Sequence, residues 1–136
     1  MMSPTKENQT EIRVYYFDTD HGGVVYYANF LKWFEVGRTE ILRQEGFDYA
    51  EFEKQGLIAP VVDVQCTYKY PASYNDKVII KTAVKKVGNT SITFNYIISK
   101  KEDNTILAEG TTTNVFIDKK TMKPTPIPEK VRKAFE

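Results

Sequence analysis

Along the chain the hydrophobic and polar positions change period several times. Between Glu11 and Phe17 β-branched and aromatic residues dominate, which predicts a strand. The Gly22–Gly23 pair breaks it. From about Val25 the spacing turns helical. Phe30, Phe34, Gly37 and Ile41 recur at steps of four, three and four; Leu31 and Leu42 widen that stripe, and Trp33 lies off it, where it would mark an interface. A glycine inside a helix costs roughly 1 kcal/mol against alanine. Gly37 sits within the apolar stripe, so close approach of the helix to a sheet is the expected compensation. Gly46 marks the helix end, and Asp48 with Glu51 has the spacing of a capping box for a short helix ended by Gly56.

Beyond Gly56 the period becomes two. Val62, Val64, Cys66, Tyr68 and Tyr70 share one face of a predicted half-buried strand, with Asp63, Gln65, Thr67 and Lys69 on the other. Residues 71–76 read as a turn. Val78, Ile80, Thr82 and Val84 alternate on a second strand, Gly88–Asn89 signals a hairpin, and Ile92, Phe94, Tyr96 and Ile98 alternate on a third. After an Asp103–Asn104 turn a fourth strand runs from about Ile106 to Ile117. Pro124, Pro126 and Pro128 interrupt regular structure before a short terminal helix within 126–136. The expected architecture is α+β: one domain over 1–136, with a loose tail at 1–9 and a meander of antiparallel strands. The long helix is the element available to cover the sheet. An uncovered sheet face or edge points to a homo-oligomer.

Composition narrows the function classes. The formal net charge is +1, which does not favour nucleic-acid or membrane attraction. The lysine pairs Lys85–Lys86, Lys100–Lys101 and Lys119–Lys120 lie near predicted strand ends, as solvated turns or as patches for an anionic ligand. One cysteine, Cys66, forms no internal disulfide, and with one histidine no His/Cys zinc site is expected. No apolar run spans a membrane, and no secretory segment is visible near the start, so the chain reads as cytoplasmic. Cys66, on an apolar strand face, reads as packing. Tyr15, Tyr16, Tyr26 and Tyr27 read as core and interface material.

The chemistry concentrates at Asp18-Thr19-Asp20-His21-Gly22-Gly23, just before the helix. A carboxylate held near a helix N-terminus lies beside unpaired N–H groups and the positive end of the helix dipole. That pairing suits attack on an acyl group. A calcium loop starting at Asp18 would need acceptors where Gly22 and Asn29 stand, and fails. Three readings of the acids stay open: caps for turn amides, one cap and one actor, or a carboxylate metal site, for which the sequence suggests no further ligand nearby. His21 reads as a loop residue pointing away from its neighbour.

Tyr16-Phe17-Asp18-Thr19-Asp20, followed by Gly23-Val24-Val25-Tyr26-Tyr27-Ala28-Asn29-Phe30, resembles the active-site signature of the 4-hydroxybenzoyl-CoA thioesterase family of hotdog proteins. It is most similar to the branch of small bacterial acyl-CoA thioesterases that includes the Tol-Pal-associated enzyme. Pro60-Val61-Val62, Tyr70-Pro71-Ala72 and Tyr74-Asn75-Asp76 extend the resemblance, which covers roughly residues 11 to 118. It implies a hotdog fold, a sheet of about five strands wrapped around one long helix, and a homodimer or homotetramer with active sites at the subunit interface. It implies acyl-CoA, or an acyl carrier protein thioester, as the substrate or partner, with no metal or cofactor. Asp20 would be the catalytic carboxylate and the Tyr27 backbone N–H the donor to the thioester oxygen. Gly23, Val25 and Pro60 would line the substrate site. Lys85, Lys86 and Ser91, around the predicted hairpin turn, would meet the CoA phosphates. One position departs from the Tol-Pal-associated branch: Tyr27 stands where histidine is usual, as in the benzoyl enzyme, so only the backbone role carries over. A non-catalytic acyl-thioester binding protein on the same fold is the alternative. A hotdog dehydratase fits less well, because His21 is poorly placed to work with an acid.

Overall fold

The structure is a computed structural model, and it describes residues 6–136. Strand β1 (Glu7–Arg13) is followed by a single 3₁₀ turn at Tyr16–Asp18, helix α1 (Asn29–Gln44) and helix α2 (Tyr49–Lys54). Then come β2 (Leu57–Ile58), β3 (Val61–Tyr68), β4 (Lys77–Val87), β5 (Ser91–Lys100), β6 (Ile106–Val115), β7 (Ile117–Asp118), β8 (Lys123–Pro124) and helix α3 (Glu129–Phe135). The main sheet has five antiparallel strands in the order β1-β4-β5-β6-β3, and β2, β7 and β8 form a small second sheet. Helix α1 lies across β1, β4 and β5, so the sheet wraps the helix as the resemblance implied. No helix among the described residues is long and apolar enough to cross a membrane.

The core follows from the alternation. Val78, Ile80 and Thr82 of β4, Ile92, Phe94, Tyr96 and Ile98 of β5, and Phe30, Trp33, Phe34, Ile41 and Leu42 of α1 are all buried. Phe34 stacks on Tyr96 with ring centroids 4.2 Å apart, joining helix to sheet. Gly37 lies directly over β4. A Cβ there would collide with Thr82 Oγ1 and come within 3.0 Å of Ile80 Cγ2. The missing side chain is therefore what lets the helix approach, as its place in the stripe implied.

Several expectations are corrected. The first strand runs from Glu7 to Arg13 rather than from Glu11 to Phe17, so it takes in part of the stretch expected as tail; residues 1–5 of that stretch lie outside the described residues. The 3₁₀ turn ends the run because the Asp18 carboxylate captures the Tyr15 N–H at 2.8 Å. The long helix starts at Asn29 instead of about Val25, since residues 24 and 25 are held by bridges to 73 and 19. Trp33 is buried against Phe30, whereas Leu31 is exposed. Tyr15, Tyr16, Tyr26 and Tyr27 are exposed too, not core. The fourth strand stops at Val115, and Ile117 passes to the small sheet. Pro124, expected to interrupt regular structure, pairs with Ile117 in the two-residue β8. On β3 the apolar face is not covered: Val62, Val64 and Tyr68 are 60%, 43% and 44% exposed. The strand is a sheet edge with a bulge between Val61 and Asp63.

Candidate active site

Residues 18–26 form a tight hairpin. The Tyr26 N–H donates to the Asp18 carbonyl at 2.9 Å, Thr19 bridges Val25, and the Asp20 N–H donates to the Val24 carbonyl at 2.8 Å. The Gly23 N–H closes the turn on the Asp20 carbonyl at 3.1 Å. Gly23 has φ 83°, a left-handed conformation that disfavours a Cβ. The hairpin is anchored to the sheet by the Val25 N–H on the Ala72 carbonyl at 2.8 Å and by the Val24–Ser73 bridge. It is anchored to α1 by the Asn29 side-chain amide, which donates to the Asp18 carbonyl at 2.8 Å.

The two acids separate by their bonds. Asp18 is part of this frame, with a carboxylate oxygen on the Tyr15 N–H and its carbonyl on two donors. Asp20 stands exposed at the hairpin tip. One of its oxygens accepts the Gly22 N–H at 2.8 Å; no cation pairs with it among the described residues. A Cβ on Gly22 would come within 3.2 Å of that same oxygen, so the glycine keeps the carboxylate uncrowded. His21 is exposed.

Helix α1 opens with a run of short-range bonds. The Asn29, Phe30 and Leu31 N–H groups donate to the carbonyls of Tyr26, Tyr27 and Ala28 at 2.9, 3.2 and 3.1 Å. Among the described residues, the N–H groups of Tyr27 and Ala28 have no partner. A helix start leaves such donors, and they favour negative charge. Tyr27 also lines a cleft of about 310 Å³, together with Val25, Phe30, Tyr68, Lys69, Tyr70 and Pro71. Tyr68 packs edge-on against both Tyr27 and Phe30, and its hydroxyl donates to the Tyr27 carbonyl at 2.9 Å.

The structure thus brings Tyr27 and Val25 into one cleft, with Gly23 and Asp20 on the hairpin beside it. Pro60 lines a different cleft, of about 450 Å³, with Glu35, Arg38, Tyr49 and Asn114 among its walls. Lys85 and Lys86 are exposed where β4 bulges, and Ser91 closes the β4–β5 turn by accepting the Gly88 N–H at 2.8 Å. That turn lies at the opposite end of β4 from Asp76, whose carbonyl holds Val14 and whose loop holds the hairpin. At about 3.3 Å per residue the nine steps from Lys77 to Lys86 span about 30 Å. One chain alone does not bring these residues to Asp20.

Residues missed in the sequence are the aromatic walls Phe30, Tyr68 and Tyr70 and the cation Arg38. Tyr68 did stand out on the alternating face, but periodicity gives no sign that its hydroxyl would meet a backbone carbonyl. Arg38, whose side chain is 11% exposed, is hidden among ordinary helix-surface residues. Burial pushes the Cys66 thiol up, which keeps it protonated and fits its reading as packing. Of the other lysine pairs, Lys100 and Lys101 line a third cleft with Arg13 and Lys77, but Lys100 is paired with Asp76 and Lys101 with Glu11.

Over residues 15–135 the chain matches the Thioesterase-like superfamily. It is 36% identical over 126 residues to the acyl-CoA thioesterase YbgC of Haemophilus influenzae, covering 91% of this chain and 90% of that protein. It is 34% identical over 125 residues to the acyl-CoA thioester hydrolase YbgC of Escherichia coli, covering 92% of each. Among solved structures it superposes on the DHNA-CoA thioesterase of Staphylococcus aureus with a TM-score of 0.90 and 35% identity, over 95% of this chain and 88% of that one. The chain belongs to the Thioesterase-like superfamily, and it is a thioester hydrolase on the hotdog fold.

Proposed function

We propose that this chain hydrolyses an acyl-CoA thioester to the free acid and CoA, with Asp20 as nucleophile or general base and the Tyr27 N–H as the donor to the thioester oxygen. The observation that carries the reading is a Tyr27 N–H without a partner among the described residues, on a residue that lines an aromatic cleft, beside a hairpin whose exposed Asp20 carboxylate meets no cation among those residues. With the acyl group in the cleft, negative charge developing on the carbonyl oxygen meets the Tyr27 N–H at the helix start. Removing one such donor commonly costs about 10²–10³ in rate. In the nucleophilic route the Asp20 carboxylate adds to the thioester carbon, the C–S bond breaks and CoA leaves as thiolate. Water then cleaves the mixed anhydride, releasing the acid and restoring the carboxylate. In the general-base route Asp20 takes a proton from the attacking water and the thiolate leaves with a proton. Both consume one water and need no metal or cofactor.

The functional unit in this proposal is a homodimer joined at β3. An edge strand presenting unpaired backbone groups and exposed Val62, Val64 and Tyr68 is a template for a second copy. An antiparallel two-fold pairing reverses strand direction. It therefore sets the partner's 85–91 turn and Pro60 cleft at the end where this chain carries its 18–26 hairpin. That assigns Lys85, Lys86 and Ser91 of one copy to the CoA phosphates at the other copy's site, and Gly23, Val25 and Pro60 to the acyl and pantetheine contacts. Pairing of such dimers into a homotetramer is a further step of the same proposal, as are CoA rather than acyl carrier protein as the carrier and a cytoplasmic location.

The test is a panel of aliphatic and aromatic acyl-CoAs with a free-thiol readout. Wild type releases thiol, while Asp20→Asn and Asp20→Ala lose at least about 10²-fold in kcat with the fold intact by circular dichroism. Full hydrolysis by either variant removes Asp20 from the mechanism. Binding of acyl-CoA without cleavage by wild type moves the reading to a binding protein.

A further inference from the structure

We infer that Tyr68 is a positioning residue for a two-donor oxyanion site, in which the N–H of Ala28 joins that of Tyr27. The inference rests on the hydrolytic reading above and concerns a peptide unit that reading does not use. Three observations converge on it. The Tyr27–Ala28 peptide is gripped at its carbonyl by two donors, the Tyr68 hydroxyl at 2.9 Å and the Phe30 N–H at 3.2 Å. The N–H at its other end, on Ala28, has no partner among the described residues. The preceding peptide repeats the pattern, with its Tyr26 carbonyl on the Asn29 N–H and its Tyr27 N–H unpartnered.

In a trans peptide the C=O and N–H point in opposite directions. Both carbonyls here point along the helix to donors in its first turn. The two N–H groups therefore point back out of the helix start, next to each other. Such a pair suits one oxygen carrying developing negative charge, since both lone-pair directions are served. A hydrogen bond accepted at a peptide carbonyl also polarises that peptide and strengthens its N–H as a donor. Tyr68 does this from β3, 41 residues along the chain from Tyr27. Its ring is fixed edge-on by Tyr27 and Phe30, with centroids 6.2 and 5.3 Å away. Partial burial, with the Cys66 side chain next, pushes its phenol up to about 12, and the hydroxyl stays a donor across the working range of pH. Sheet and helix start are thus locked at the peptide where the chemistry is assigned.

The experiment compares wild type with Tyr68→Phe, Tyr68→Leu and Asp20→Asn by two measurements. The first is kcat and KM on an acyl-CoA from the panel. The second is the carbonyl stretching frequency of a bound ketone analogue, in which CH₂ replaces the thioester sulfur, so it reads the donors without turnover. Tyr68→Phe keeps the ring and removes only the hydroxyl. Its expected result is a kcat lower by about tenfold, a KM within about twofold, and a bound carbonyl frequency higher than in wild type. Tyr68→Leu matches that kcat loss and raises KM as well, because the ring contacts go too. Wild-type kcat and an unchanged carbonyl frequency in Tyr68→Phe would overturn the inference, as would an effect confined to KM. Full activity in Asp20→Asn removes the hydrolytic assignment of the acid. In that event a frequency shift lost in Tyr68→Phe still sustains the two-donor site, and an unshifted one defeats it.

Discussion

Gly37→Ala tests the packing that brings helix α1 onto the sheet. On an exposed helix this change stabilises by about 1 kcal/mol, through helix propensity. Here the added methyl meets Thr82 Oγ1 far inside van der Waals contact and Ile80 Cγ2 at 3.0 Å. Neither obstacle is free to move. Thr82 is fully buried in β4: one of its other χ1 rotamers puts the methyl in the same gap, and the other turns the hydrogen toward Gly37 only by pushing the methyl into a packed core. Overpacking of this kind costs about 1–3 kcal/mol. At the upper end of that range, less the propensity gain, the net loss is about 2 kcal/mol. For a chain of this size that lowers Tm by roughly 6–8 °C. Thr82→Ala supplies the control. Among the described residues the Thr82 hydroxyl has no hydrogen-bond partner, so its removal relieves an unsatisfied group while losing one methyl of packing. That variant alone stays within about 1 kcal/mol of wild type, and the double variant recovers most of the Gly37→Ala loss, a coupling of about 1–2 kcal/mol. Urea and thermal unfolding of the four proteins at one concentration measure all of this. A higher Tm for Gly37→Ala, or strict additivity in the cycle, would refute the steric account.

Two further outcomes follow from other parts of the molecule. Burial pushes the Tyr49 phenol up to about 12, and Arg38 opposes this only in part. The fold therefore favours the neutral phenol, so its contribution is complete below pH 10 and is lost as pH rises from 10 to 12. The loss amounts to about 2–3 kcal/mol, visible as a falling urea midpoint together with a late tyrosinate absorbance, and Tyr49→Phe should flatten it. On the exposed edge, Val64→Lys places a charge in the proposed β3 contact; sedimentation should show dissociation to monomers and the thiol assay a matching loss of activity, while a dimer of unchanged affinity would move the interface elsewhere.

What the sequence made legible, and what it hid, divides along physical lines. Strands β4 and β5 were readable because a period of two, a Gly-Asn turn and burial of one face all agree within a dozen residues. Gly37 was readable because a residue without a side chain, set in an apolar stripe, leaves room for a neighbouring element to come close. The 3₁₀ turn and the 18–26 hairpin were not, since side-chain and bridging bonds there override local propensity: Asp18 captures the Tyr15 N–H, and Thr19 meets Val25. Trp33 and Leu31 exchanged roles because stripe geometry assigns a face but not its width. At the site, Asp20 and Tyr27 were named on a motif, whereas the contact between Tyr68 and the Tyr27 carbonyl spans 41 residues and leaves no periodic trace.

Strand β3 shows a further kind of discrepancy. Its alternation of Val62, Val64, Cys66 and Tyr68 against Asp63, Gln65 and Thr67 is as regular as that of β5, yet in the single chain Val62, Val64 and Tyr68 face solvent. A binary pattern records what is buried in the state that functions, and the single chain need not be that state. The same strand carries the cleft wall Tyr68, and its end lies beside the hairpin of Asp20. A second copy on β3 would therefore cover the exposed apolar face and, by reversing strand direction, deliver the distant Lys85–Lys86 turn to the site. In the proposed dimer, one assembly step would account both for the uncovered face of β3 and for the distance between the Lys85–Lys86 turn and Asp20.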